Sequence, residues 1–349
     1  TFKDQPNGLR TDLVNLLADL HPSFLRFPGG CFVEGKKLDD AFRFADTIGP
    51  VEERKGKDSF WGYYTTDGLG YYEYLRLTED LGADPIFCLN PGGNNGVSER
   101  VPLDELGPWL QEAVDAIEFA IGPADSKWGA KRSAMGHTEP FKFKTFYVQI
   151  GNETEFGRRD YRQRLVAYEQ FIKKAYPGDN VQVIADSWGL GQGQDVEAFA
   201  IDNHEYPGWG RAIVDRDVHD KSPRGAPFIF EGEYAARSGS GILQALSEAV
   251  FMMGLEENAD EVKLASYAPL FGNVNECQWH PNLIYFDNER AMGSISYYVQ
   301  QLYSLNRGDR VLPVKVEQQP AQDSQQTQPI SGSVGFATWS TAAEFKDLS

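Results

Sequence analysis

Phe146-Tyr147-Val148-Gln149-Ile150-Gly151-Asn152-Glu153 carries an apolar strand into a carboxylate, and Phe228-Ile229-Phe230-Glu231-Gly232-Glu233-Tyr234 does the same 80 residues later. Both runs are short, apolar and rich in β-branched and aromatic residues, which reads as buried strand rather than helix. A single strand-end acid is weak evidence, because a salt bridge or a helix N-terminal charge accounts for it equally well. Two of them fit a parallel barrel, whose catalytic residues collect at the C-terminal ends of its strands. Such a pair breaks a glycosidic bond: one carboxyl protonates the leaving oxygen, and the other attacks or activates water. Glu231 competes with Glu233, since residues two apart on a strand share a face. Glu233 lies nearer the C-terminal end and is preferred.

The same rhythm extends both ways. Apolar strands are expected near residues 24, 85, 147, 181, 199, 228 and 264, and helices over 9–20, 71–81, 103–121, 161–175, 242–254 and 291–305. Strand–helix alternation predicts a parallel α/β fold. The chain opens on a helix, so the count of seven is expected to become eight with a first strand upstream of Thr1. The expected fold is thus a (β/α)8 TIM barrel lacking its first strand over residues 1–308, followed by the start of a β-sandwich domain over 309–349. In that last segment Val311–Val316 and Gly332–Thr338 read as strands around a loop rich in Gln, Pro and Ser. A doubly wound open sheet is the alternative. It lacks support, because Gly189-Leu-Gly-Gln-Gly does not have dinucleotide-loop spacing.

Composition narrows the partners. With 33 basic and 51 acidic residues the net charge is −18, which disfavours nucleic acid and suits a neutral polysaccharide. No apolar run approaches the ~18 residues of a membrane span. Cys31, Cys88 and Cys277 match no metal-site spacing and make no disulfide scaffold, so no metal or cofactor is expected. No secretory signal opens the chain, and a start on Thr1 rather than Met reads as a processed chain or a fragment.

Several polar residues fall where a site would form. Arg26, before Phe27-Pro28-Gly29-Gly30-Cys31, can hold a carboxylate ionised or bind hydroxyls. Cys31 reads as a small buried residue rather than a nucleophile. Asn152 can hydrogen-bond a sugar; its Asn152-Glu153-Thr154 sequon reads as accidental, since a glycan would block the pocket. His204 and Tyr206 share a face on the strand before that of Glu233. Trp61, Trp188, Trp209 and Trp279 are candidate sugar platforms, each with core packing as its ordinary alternative.

Taken together, Phe24-Leu-Arg-Phe-Pro-Gly-Gly-Cys-Phe-Val-Glu-Gly, Thr66-Asp-Gly-Leu-Gly, Ile150-Gly-Asn-Glu, Gly232-Glu-Tyr-Ala and Ala265-Ser-Tyr-Ala-Pro-Leu resemble the glycoside hydrolase family 51 α-L-arabinofuranosidases of plant and fungal type. The resemblance covers about residues 1–315. It implies a retaining mechanism with Glu153 as acid/base and Glu233 as nucleophile, and an arabinose subsite lined by Arg26, Cys31, Asn152, His204 and Tyr206. Of the candidate platforms, Trp279 is the one expected to bind substrate. It implies release of terminal non-reducing α-L-arabinofuranosyl residues from arabinoxylan, arabinan or oligosaccharides by a secreted enzyme. It also implies an acidic first strand upstream of this chain. The alternatives are a β-xylosidase or endo-β-glucanase on the same carboxylates, or a non-catalytic sugar-binding relic.

Overall fold

All seven expected strands form. The structure, a computed structural model, describes residues 8–95, 98–154, 160–191, 195–237 and 241–312. In chain order the elements are α1 (Thr11–Ala18), β1 (Phe24–Phe27), β2 (Lys57–Asp58), β3 (Tyr64–Thr65), α2 (Tyr71–Asp80), β4 (Asp84–Leu89), α3 (Gly107–Ile121), α4 (Lys127–Ala134), β5 (Phe146–Ile150) and α5 (Tyr161–Ala175). Then follow β6 (Val181–Asp186), α6 (Ser187–Leu190), β7 (Ala200–Glu205), α7 (Trp209–Val214), β8 (Phe228–Tyr234), α8 (Ile242–Glu257), β9 (Val262–Tyr267), β10 (Phe271–Asn273), β11 (Ile284–Phe286), β12 (Ala291–Gly293) and α9 (Ile295–Leu305). The strand segments expected beyond residue 312 lie outside the described residues.

Strands β1, β4, β5, β6, β7, β8 and β9 pair in that order in one parallel sheet. The sheet curls. Each of its strands sends at least one side chain into a single apolar cluster, among them Phe24, Ile86, Tyr147, Ile184, Ala200, Phe230 and Leu264. Phe24 on β1 meets Phe230 on β8 edge to face at 5.6 Å between ring centres. Such contact needs the first and late strands to face one another across a barrel interior. Two residues further along, on the same faces, come Arg26, Cys88, Gln149, Asp186, Asp202, Gly232 and Ser266. The interior therefore changes from an apolar layer to a polar one toward the C-terminal strand ends.

Among the described residues the ladder is open between β1 and β9, and residues of both strands line one cavity of about 1050 Å³ that also reaches the site. Outside this seam α9 ties to α1: the Tyr297 hydroxyl donates to the Leu16 carbonyl at 2.8 Å, and Arg307 Nη2 donates to the His21 carbonyl at 3.2 Å. The larger apolar core lies between sheet and helices, around Tyr71, Phe119, Tyr161, Leu165 and Tyr168. Among the described residues no helix is long and apolar enough to cross a membrane.

Three expectations need correction. Residues 291–305 are not one helix: Ala291–Gly293 forms strand β12, and α9 begins after Ser294, whose hydroxyl accepts the Tyr297 N–H. The expected helix over 103–121 starts at Gly107, with Pro108 in its first turn, where its missing N–H costs nothing. Glu231 and Glu233 do not share a face. Opposite β7, Asn203 pairs with Glu231 and His204 with Glu233, so Gly232 is an extra residue, a bulge. The bulge turns Glu231 outward to His219 (2.8 Å) and Glu233 inward to Arg26 (2.8 Å).

Gly232 is required there for space. A Cβ on it would stand 1.9 Å from Asp202 Oδ1, on a side chain with no exposed surface. Gly232→Ala is expected to destabilise the chain by about 2–4 kcal/mol, in the range of overpacked or strained core sites. Gly210→Ala, on α7 with open space around its Cβ position, is expected to change stability by less than about 0.5 kcal/mol, as surface substitutions do. Urea unfolding of the two variants checks the contrast.

Candidate active site

The polar layer is organised around Arg26. Its guanidinium donates from Nε to Gln149 (2.8 Å), from Nη1 to Glu233 (2.8 Å) and from Nη2 to Asn152 (2.6 Å), with Asp202 at 3.5 Å. The planar fork thus ties β1, β5, β7 and β8 together across the barrel mouth. Burial opposes the charge, yet Asp202 and Glu233 together raise the Arg26 pKa above its ordinary value.

Asp202 is the buried counterpart. Its Oδ2 accepts from Gln149 Nε2 (2.6 Å) and lies 3.0 Å from His204 Nε2. His204 Nδ1 in turn lies 2.9 Å from Glu153 Oε1 and 3.6 Å from Glu233 Oε2. With a carboxylate at each ring nitrogen, both nitrogens donate and the imidazole carries its proton. Burial lowers the His204 pKa, but Glu233 and Asp202 outweigh it and hold the pKa well above the ordinary value.

Glu233 receives the converging charge. Burial alone would raise its pKa. His204, Arg26 and the Tyr206 hydroxyl, which donates to Oε2 at 2.7 Å, bring it below the usual value instead. Glu233 is thus held as an anion. Burial raises the Tyr206 pKa, and Glu233 raises it further, so the hydroxyl keeps its proton.

Glu153 stands beside this anion on a turn after β5. One of its carboxylate oxygens lies within 4.8 Å of one on Glu233. It adopts φ +46°, the left-handed region that few non-glycine residues enter. Gly151, at φ +90°, starts the turn; a Cβ there would lie 2.2 Å from Thr154 Oγ1. Cys31 Sγ sits 3.9 Å from Glu153 Oε2, and burial together with Glu153 pushes its thiol pKa up, so it stays protonated.

Glu153, His204 and Glu233 offer ligand atoms all within 4.8 Å of one another. Arg26 and the charged imidazole already face these carboxylates. The site thus already supplies the positive charge that a metal ion would bring.

Apart from Trp188 and Trp209, the residues expected in the site converge here, in two tiers. Arg26, Cys31, Asn152, Glu153, Tyr206, Glu233 and Trp279 line the cavity. His204 does not: its side chain is 1% exposed beneath the two glutamates. Asn152 is equally buried, which agrees with an accidental sequon. The Trp279 ring meets Tyr206 edge-on at 5.3 Å and Trp61 at 6.0 Å, with the Arg237 guanidinium 4.6 Å from its centre. Trp61 and Trp279 line the cavity; Trp188 and Trp209 lie on α6 and α7 outside its lining. All three cysteines are free. Sequence reasoning missed Gln149, Asp202, Glu34 and Asp186. For the three on strands the available signal was a polar residue on the inward face of an otherwise apolar run; Glu34, on the loop after β1, gave none.

A parallel barrel with two facing carboxylates at its strand ends, one of them held ionised, is the arrangement of a glycoside hydrolase. Comparison with known proteins narrows the class. The profile of the α-L-arabinofuranosidase 1 domain matches residues 16–224, and that of the α-L-arabinofuranosidase C-terminal domain matches 220–346. An extracellular exo-α-L-arabinofuranosidase of Streptomyces chartreusis is 39% identical over 376 aligned positions, covering all of this chain and 44% of the relative. α-L-Arabinofuranosidase 1 of Arabidopsis thaliana is 42% identical, covering 88% of this chain and 45% of the relative. The solved structure of an arabinose-bound family 51 α-L-arabinofuranosidase superposes with a TM-score of 0.82 at 37% identity, over 90% of this chain and 52% of that one. The chain belongs to the family 51 α-L-arabinofuranosidases. It spans about half the length of the relatives it matches.

The opposed pKa shifts predict a pH window. The lowered Glu233 pKa adds stability above the ordinary Glu value of about 4.3, lost as pH falls through the lowered value. The raised His204 pKa adds stability in full below about 6.5, lost as pH rises through the raised value. Tm measured against pH is expected to fall on the alkaline side for the wild type and to fall less steeply for His204→Gln.

Proposed function

We propose that this chain hydrolyses terminal non-reducing α-L-arabinofuranosyl residues of arabinoxylan, arabinan or their oligosaccharides, with retention of anomeric configuration. The observation that carries the reading is the close pair of Glu153 and Glu233, with Arg26, Tyr206 and His204 holding Glu233 as an anion. Retaining enzymes place their carboxyls ~5–5.5 Å apart, inverting ones ~6.5–9.5 Å. An oxygen–oxygen approach within 4.8 Å favours the close arrangement. Family membership supports arabinofuranose over xylose or glucose as the sugar.

In the first step Glu233 attacks the anomeric carbon as the glycosidic C–O bond breaks, and Glu153 gives its proton to the departing oxygen. In the second, Glu153 takes a proton from water, the water oxygen attacks the same carbon, and the bond to Glu233 breaks. Two inversions give net retention. Arg26 and Tyr206 keep Glu233 unprotonated and aligned. His204, buried under both glutamates, fixes their spacing. Asn152 and Cys31 supply contacts to the sugar, and Trp279 supplies an apolar face beside Tyr206. Barrel residues 1–308 carry this chemistry, with a β-sandwich domain beginning at 309. The substrate is a neutral glycan, reached outside the cell.

The roles are separable by azide rescue. In Glu233→Gly, azide attacks in place of the lost carboxylate, with one inversion, and is expected to give the β-arabinofuranosyl azide. In Glu153→Ala, azide replaces water on the glycosyl-enzyme and is expected to give the α-azide. The reverse pattern of anomers would exchange the two assignments, and no azide product from either variant would remove both.

Substrate class is checked with aryl glycosides. Hydrolysis of an aryl α-L-arabinofuranoside is expected to exceed that of the corresponding β-D-xylopyranoside by about 100-fold or more in kcat/KM, equivalent to about 2.7 kcal/mol of discrimination. Equal rates would overturn the sugar assignment.

A further inference from the structure

The turn that carries Glu153 is held at four of its backbone groups. The Gly151 N–H donates to the Leu89 carbonyl at 2.8 Å, and the Gly151 carbonyl accepts from Gln149 Nε2 (2.9 Å) and Cys88 Sγ (3.3 Å). The Asn152 N–H donates to Glu34 Oε1 at 2.9 Å, and the Thr154 N–H to Asp186 Oδ2 at 2.6 Å. Glu34 thus holds the peptide between Gly151 and Asn152, one residue before Glu153, and Asp186 holds the peptide that follows Glu153. Asp186 has other duties: it caps α6, accepting from the N–H groups of Trp188 and Gly189. Glu34 has none of that kind. It lies on the loop after β1, 1% exposed, and its second oxygen has no hydrogen-bond partner among the described residues. A carboxyl buried so deeply for one backbone contact calls for an explanation.

The contact falls where conformational restraint is needed. Glu153 follows Asn152 directly and sits at φ +46°, a conformation that persists only when its surroundings impose it. The Glu34 loop also carries Cys31, whose sulfur approaches the Glu153 carboxylate. One loop thus holds the acid/base from its backbone and touches its side chain.

We infer that Glu34 is a positioning residue for the general acid/base: its Oε1 anchors the Asn152 peptide so that Glu153 keeps its left-handed conformation and faces Glu233. The inference rests on the proposed role of Glu153. Burial raises the Glu34 pKa well above the usual value, with Asp186 adding to the effect. The anchor therefore acts as a neutral acceptor, and glutamine can replace it where leucine cannot.

The test compares leaving groups. Departure of a phenol needs a proton from the enzyme, whereas departure of a dinitrophenolate does not. General acids contribute about 10²–10⁴-fold. Glu34→Leu is expected to lose about 10–100-fold in kcat/KM, which reports the first step alone, on phenyl α-L-arabinofuranoside, part of that contribution, and less than about 3-fold in kcat/KM on the dinitrophenyl substrate. Glu34→Gln is expected to stay within about 3-fold of wild type on both. Should Glu34→Leu fail to fold, Glu34→Met, equally without a strong acceptor, carries the same comparison. Equal losses on both substrates would mean general damage to the fold and overturn the inference. So would unchanged activity of the leucine or methionine variant, or a glutamine variant as poor as either. Glu153→Ala is the internal reference. If it lacks the leaving-group split, the acid/base reading itself fails; if it shows the split and Glu34→Leu does not, only the positioning role fails.

Discussion

The buried guanidinium of Arg26 is the constraint around which this barrel mouth is arranged. A charge removed from water is tolerated only where opposite charge and hydrogen bonds surround it. Here the fork reaches Gln149, Asn152, Asp202 and Glu233, and so spans four strands. Remove the arginine and two buried carboxylates, Asp202 and Glu233, lose their common partner. The same contacts that stabilise the mouth set the ionisation of Glu233. Structural and chemical roles cannot be assigned to separate residues at this position.

A second feature, the Gly232 bulge, decides which acid joins that network. With regular alternation, Glu231 and Glu233 would both point away from the interior that Phe230 enters. The bulge leaves Glu231 at His219 behind the sheet and brings Glu233 inward. Asp202 and Gly232 depend on one another, because the aspartate occupies the volume a side chain would need. Site geometry and backbone irregularity are thus one solution to one packing problem.

Much of the fold was legible because strands buried on both faces read as short continuous apolar runs. All seven sheet strands and the helix over 161–175 follow from such runs and from helical periodicity. The three-residue strands β10, β11 and β12 were not, since three residues carry no period. Helix α4 also escaped notice; its residues are mostly polar or small, and the Ser126 cap is its clearest mark. In the site, residues that end strands were found and those that support them were not. The separation of Glu231 from Glu233 depends on pairing between β7 and β8, which neither strand states alone. His204 contacts Glu153 and Glu233 from beneath, with its side chain outside the cavity lining. Asp202, two residues earlier on the same face, determines that placement.

The seam between β1 and β9 leaves one flank of each strand without a ladder partner among the described residues. Unpaired backbone N–H and C=O groups along a strand are a template for pairing with any extended segment that meets them. Two such rails face one another across a cavity lined by Leu17, Leu77, Leu81, Leu255 and Leu264. The charged Lys263, exposed on β9, is the sort of residue that discourages unwanted pairing. Two such edges facing one another across one cavity are matched to a single extended segment lying between them.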